Sequence, residues 1–102
     1  MHQPFEYQFE WDPVKARGNY NKHGITFERA ASVLNDPRAL SIPDEKHSER
    51  EERWIILGLD QGGVPVVVCH AFRYEEGHHK ARVRIISARK ATKKEVQQYK
   101  EI

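Results

Sequence analysis

Three apolar runs in the second half of the chain, RWIILGL, VPVVVCHAF and KARVRIISA, limit what it can fold into. Each is of strand length, and the groups DQGG and YEEGHH between them are turn formers. Strands joined by such short connections pair antiparallel. The reading is a three-strand meander over Arg53–Leu59, Val64–Phe72 and Lys80–Ala88. VPVVVC is apolar on both sides, as a central strand is, and Pro65 is kept near its start. In the third run Val83, Ile85 and Ser87 alternate with Arg82, Arg84 and Ile86. That pattern sets core side chains on one face and two guanidiniums on the other. With 38% hydrophobic and 31% charged residues, 102 residues hold one modest core, so residues 1–102 read as one domain built on this sheet.

Ahead of the meander, FEYQFEW alternates Phe5, Tyr7, Phe9 and Trp11 with Glu6, Gln8 and Glu10, a half-buried strand from Phe5 to Trp11. Asp12 and Pro13 open a helix as N-cap and first residue. Val14, Arg17 and Tyr20 recur at helical spacing, and Gly24 supplies the stop. Thr26 caps a second helix with Phe27, Ala30, Ala31 and Leu34 as its apolar face, ended by Asn35, Asp36 and Pro37. Ala39 to Ile42 is a short edge strand, since Pro43 bars a central position. Asp44 to Glu52 is a charged loop, in which Ser48 and Glu51 spell a capping box that a following strand leaves no room for. After the meander, Thr92 and Glu95 spell another, opening a basic C-terminal helix. The order predicts an α+β fold: an N-terminal strand, two short helices, an antiparallel sheet of about four strands with helices on one face, and a C-terminal helix.

Charge is unevenly spread. Lys80 to Glu101 carries eight Lys/Arg against Glu95 and Glu101, 8 − 2 = +6, whereas the whole chain is +2 at pH 7. Arginines on a strand beside a lysine-rich helix suit a polyanion, and the same charges also describe a solvated face over an ordinary core. No apolar run approaches the ~20 residues of a membrane span, and the first residues lack the basic and apolar regions of a signal peptide. The single cysteine, Cys69, reads as a small apolar side chain, and a chain without an intrachain disulfide fits a reducing cytoplasm. His70, His78 and His79 lack metal-ligand spacing, Ser87 has no Ser-His-Asp context, and no P-loop or dinucleotide fingerprint occurs. No metal or cofactor is therefore expected.

Three stretches in order, FEWDPVKARGNYNKHGITFERAASVLNDP, DEKHSEREERW and RVRIISARKATKKEVQQY, resemble the BrnT family of toxins from type II toxin–antitoxin modules, whose fold is similar to that of the RelE ribonucleases. The resemblance runs from Phe9 to Tyr99. It implies a RelE-like domain and a cytoplasmic endoribonuclease that arrests translation, with RNA as substrate. It also implies a BrnA-type antitoxin that neutralises it, and operator DNA bound only by the toxin–antitoxin complex. The chain departs from the commoner family pattern at Cys69–His70 and in the loop from Tyr74 to Lys80.

Cleaving RNA without a metal requires a base for the 2′-OH, cations for the phosphorane and an acid for the leaving 5′-oxygen. RNA brings its own nucleophile, so basic side chains can carry most of such a site. Arg53, Arg73, Arg84 and Arg89 are the candidate cations. Arg53 begins one meander strand and Arg73 ends the next, at the same end of an antiparallel pair, and planar guanidinium forks suit phosphate. Lys22, Arg82, Arg89, Lys90, Lys93 and Lys94 are expected to bind the RNA backbone. His47, in the family-like DEKHSE, and His23, ending the first helix, are the proton-transfer candidates, with Glu51 or Glu52 as base. The plainer readings are surface charges, ion pairs with the run from Glu49 to Glu52, and a helix-end cation for His23. A non-catalytic nucleic-acid- or antitoxin-binding module with this fold would carry the same residues.

Overall fold

The three apolar runs are the inner strands of a five-stranded sheet. In chain order the elements are β1 (Glu6–Glu10), α1 (Pro13–His23), α2 (Phe27–Ser32), β2 (Leu40–Pro43), β3 (Arg53–Leu59), β4 (Pro65–Glu75), β5 (Lys80–Lys90) and α3 (Lys93–Lys100). The strands lie side by side as β1-β5-β4-β3-β2. This computed structural model describes residues 6–48, 50–75, 77 and 79–101; Phe5, Glu49 and His78, named above, lie outside them. β2 to β5 pair antiparallel, as expected, whereas β1 joins parallel to β5, from Glu6 opposite Lys80 to Glu10 opposite Arg84. The sheet is therefore mixed. Alternation decides which residues share a face and is silent on strand direction.

β4 and β5 run past their expected ends because they pair with one another from Glu75↔Lys80 to Val66↔Lys90. Ladder bonds keep in the strands polar residues that side-chain pattern assigns to loops. A bulge sets Cys69 opposite Ser87 but His70 opposite Ile85, leaving Ile86 unopposed. Alternation changes phase there, so Ala88, and not Ser87, continues the buried row of Val83 and Ile85. These three pack with Ile56, Val66 and Val68 against Ile25, Phe27, Ala30 and Val33 in the core.

The helices meet the sheet through local signals and one unforeseen residue. Asp12 Oδ1 accepts the Val14 N–H at 2.8 Å, and Gly24, at φ 72°, ends α1. The Val14/Tyr20 stripe faces solvent, 66% and 54% exposed. Asn19 faces inward instead. Its amide donates to the carbonyls of Ile25 (3.2 Å) and Ala88 (2.9 Å) and accepts the Ala88 N–H (3.0 Å). Because β1 covers β5 only as far as Arg84, Asn19 takes the place of a neighbouring strand at Ala88. Thr26 caps α2 by accepting the Arg29 N–H at 3.2 Å. The chain then tightens into a 3-10 turn over Val33–Asn35, which buries Val33 and leaves Leu34 half-buried.

The helices do not all lie on one face. α3, with both bonds of its Thr92/Glu95 capping box, lies against β3. Leu57 and Val67 point away from the α1–α2 core and are nonetheless buried. Tyr99 fastens α3 by donating to Asp36 Oδ2 at 2.7 Å, an oxygen that also accepts the Leu59 N–H at 2.8 Å. α3 covers only this end of the face; the arginine end stays open.

Candidate active site

On the face away from α1 and α2, strand register sets side chains in rows. One row runs Arg53, Ala71, Arg84, Glu10 across β3, β4, β5 and β1; the next runs Arg73, Arg82, Gln8. Together they floor a cavity of about 440 Å³ walled by Arg50, Glu51 and Glu52 from the loop before β3. Ala71 opens the first row, because its methyl leaves room between two arginines. Glu51 occupies that room. Its Oε1 accepts from Arg53 Nη2 (3.1 Å) and Nε (3.2 Å), and from Arg84 Nη2. The Arg84 guanidinium, helped by Arg53 and opposed by partial burial, holds the Glu51 carboxyl below the usual carboxylate range.

In the second row Arg73 stands directly opposite Arg82. Like charges so placed destabilise a sheet unless something offsets them. Arg82 has Glu75, Nε to Oε1 2.7 Å. Arg73 is exposed, with no side-chain partner among the described residues. Guanidiniums held on a sheet floor, one without a side-chain partner among the described residues and two sharing a single carboxylate oxygen, have the arrangement that binding an anion requires.

A second hollow, about 300 Å³ and lined by Lys46, His47, Arg50, Glu51 and Arg53, opens beside the first. A 3-10 turn over Glu45–His47 presents His47, whose Nδ1 lies 3.0 Å from Asp44 Oδ2. An ionised carboxylate only accepts, so Nδ1 carries a proton here, and in the neutral form of the ring Nε2 is the nitrogen left to accept one. Ser48 ties the loop down, donating to the Asp44 carbonyl (2.7 Å) and accepting the Arg53 N–H (3.1 Å). Ser48 and Glu51 do not close the box they spell: Ser48 Oγ is taken up by this clamp and Glu51 Oε1 by the arginines.

The other candidates lie elsewhere. Glu52 walls the cavity but turns its carboxylate to the opposite face, where Oε1 accepts from Trp54 Nε1 at 2.7 Å. Lys22 and His23 end α1, across the sheet from the arginines. Arg89 is engaged by both oxygens of Glu95, at 2.8 and 3.0 Å. That pairing, with the Thr92 cap, takes the Glu95 carboxyl down to about 2. Lys90, Lys93 and Lys94 are exposed around the start of α3, and Lys90 is six residues, or about 20 Å of strand, from Arg84. The fold thus gathers Arg53, Arg73, Arg82 and Arg84 with His47 alongside, and sets Lys22, His23, Arg89, Lys90, Lys93 and Lys94 apart.

Arg50, Glu51 and Asp44 complete the site. Asp44 had a readable signal, three residues before His47. Glu51 was a candidate base and a member of the acidic run expected to pair with arginines, but which arginine it meets was not readable, since its partner Arg84 is 33 residues away. Among the described residues no three His, Cys, Asp or Glu side chains cluster as a metal site.

A family model for the ribonuclease toxin, BrnT, of type II toxin–antitoxin systems matches residues 11–95. Among solved structures, the 1.1 Å crystal structure of the Brucella abortus ribonuclease toxin, BrnT, is similar to this chain with a TM-score of 0.60 at 22% identity, covering 87% of this chain and 99% of that one. Identity that low bears on the fold alone. No curated protein matches the chain.

Proposed function

The chain belongs to the BrnT family of ribonuclease toxins of type II toxin–antitoxin systems, and we propose that its arginine cavity is where it cleaves RNA, by attack of the RNA's own 2′-OH without a metal. The observation that carries this is the row Arg53–Ala71–Arg84, two guanidiniums aimed at one anionic oxygen across a gap. A phosphate entering there displaces the Glu51 carboxylate and meets the same donors, with Arg73 free for a further oxygen. As the 2′-oxygen bonds to phosphorus, charge grows on the non-bridging oxygens, and donors already in place stabilise it without reorganising. His47, its Nδ1 held by Asp44, takes the 2′-OH proton at Nε2. The bond to the 5′-oxygen breaks, and that oxygen takes a proton from the solvent of the open cavity. Glu51, held ionised by Arg84 and Arg53, is a weak base and serves instead to aim both arginines.

A BrnA-type antitoxin is the partner this reading calls for, covering the cavity with acidic side chains. RNA binding and antitoxin binding place the same demand on the arginines, and cleavage is what distinguishes a toxin from a binding module.

The purified chain, incubated with RNA in excess EDTA, should leave 2′,3′-cyclic phosphate and 5′-hydroxyl ends and should spare DNA. His47→Ala should lower kcat about 10²-fold or more with the fold intact. Ends bearing 5′-phosphate, or activity lost in EDTA and restored by a divalent ion, would rule the mechanism out. Tight RNA binding with no cleavage at all would favour the non-catalytic module.

A further inference from the structure

The sheet's other face carries a cleft that this reaction does not use. It measures about 250 Å³ and is lined by Tyr7, Leu34, Trp54, His70 and Phe72 among others. Register explains its character. Phe9, Val83 and Phe72 form one row across β1, β5 and β4, Tyr7, Ala81 and Tyr74 the next, and Trp54 of β3 stands opposite His70. The core buries Val83 and Ile85 fully, and there the helical cover ends. Tyr7 and Tyr74 remain 39% and 54% exposed, and Phe9, Phe72 and Trp54 are half-buried. The Tyr7 and Phe9 rings lie 6.0 Å apart, centroid to centroid. Three aromatic rings, Tyr7, Trp54 and Phe72, line this open cleft, with Phe9 and Tyr74 in the adjoining rows, and an open apolar patch of this kind marks a binding surface.

His70 sits within this patch. It is only 4% exposed, and its Nδ1 has no hydrogen-bond partner of proper geometry among the described residues. Burial lowers its pKa to about 4, against a smaller opposing pull from the Val68 backbone, so the ring is neutral at pH 7. A neutral imidazole has one donor and one acceptor, the complement of a nucleobase edge.

We propose that this aromatic cleft holds an unpaired nucleobase of the same RNA strand whose phosphate enters the arginine cavity, and so sets which base the chain prefers beside the cut. Three observations favour a base over a protein side chain. Tyr7, Trp54 and Phe72 in its walls are planar rings, which stack on planar rings. The buried polar group is neutral. Glu52 and Phe72 line both the cleft and the arginine cavity, so the two openings adjoin where β3 begins and β4 runs on to Glu75. One strand can then place a phosphate on one face and a splayed base on the other. The inference rests on the arginine cavity binding RNA, and its test separates the two.

The probes are a single-stranded 2′-deoxy oligonucleotide, which lacks the attacking hydroxyl, and an abasic strand of equal length, which keeps the phosphates and loses the rings. The wild-type chain should bind the base-bearing strand about tenfold or more tightly than the abasic one. Tyr7→Ala and Trp54→Leu should each shrink that ratio while leaving abasic binding as in the wild type. In a Trp11→Phe background Trp54 is the remaining tryptophan, and its emission should respond to the base-bearing strand alone. Arg84→Ala should weaken both strands alike. Equal binding of the two strands by the wild type would overturn the nucleobase reading and leave the arginine cavity standing. A ratio unchanged in both cleft variants, with circular dichroism showing them folded, would overturn it too. If those variants instead escape their antitoxin, the occupant is a protein side chain and the proposal falls. If neither strand binds, both readings fall.

Discussion

Ala71 shows how little a residue has to contribute to decide a site. Its methyl separates Arg53 from Arg84, and any longer side chain there would fill the space that Glu51 occupies. Arg53 was legible as a strand-end cation, Arg84 as one on the arginine side of its strand, and His47 as a loop histidine beside carboxylates. The turning of Glu52 to Trp54 and of Glu51 to Arg84 was not legible, because adjacent residues of one loop differ in direction only once the loop is folded. Asn19 was missed for a related reason. A polar residue in a helix is assigned to solvent unless the backbone groups it must satisfy are known, and those belong to Ala88.

His70 gives a prediction at this scale. Its folded pKa, about 4, lies below the ordinary 6.5, so in between the unfolded chain binds the proton and the folded chain does not. The stability from keeping His70 neutral is complete above pH 6.5 and is lost as pH falls toward 4, by about 3 kcal/mol at most. Urea denaturation at pH 7.5 and 4.5 should show a smaller loss for His70→Leu than for the wild type. Equal losses would mean that His70 takes up its proton in the folded chain.

The elements were read best where their signals are local. The Asp12, Thr26 and Thr92 caps, the Gly24 stop and the bounds of β3 depend on a few adjacent residues, and the structure contains them all. What depends on pairing escaped: the parallel docking of β1, the bulge that moves Ala88 inward, and the longer β4–β5 hairpin. Two glycines make the contrast testable. A Cβ on Gly58 would lie 2.9 Å from Ala39 Cβ, 3.0 Å from Asp36 Oδ2 and 3.1 Å from Val33 Cγ1, where the chain passes over β3. A Cβ on Gly18, within α1, meets nothing within 4 Å. Gly58→Ala should cost about 1–3 kcal/mol through overpacking, and Gly18→Ala should gain about 0.5–1 kcal/mol through helix propensity. Thermal melts should shift in opposite directions; a Gly58→Ala chain as stable as the wild type would mean that the crossing is loose.

For the whole molecule, the issue is which of two basic regions faces the RNA. Sequence alone joined them, since Lys80 to Glu101 reads as one +6 stretch. The fold separates them. Arg82 and Arg84 lie on the open sheet floor with Arg53 and Arg73, while Lys90 at the end of β5 and Lys93 and Lys94 at the start of α3 sit at the far end, where Glu95 engages Arg89. The most direct measurement is therefore the single-turnover cleavage rate of two variants on one RNA. Arg84→Ala should slow the bond-breaking step about 10²-fold or more, as loss of a preorganised donor to the phosphorane does. The triple variant Lys90→Ala, Lys93→Ala, Lys94→Ala should change that step only a few-fold at saturating RNA, its effect falling on binding through the weakened long-range field. A triple variant that abolishes cleavage while Arg84→Ala cleaves like the wild type would contradict this account.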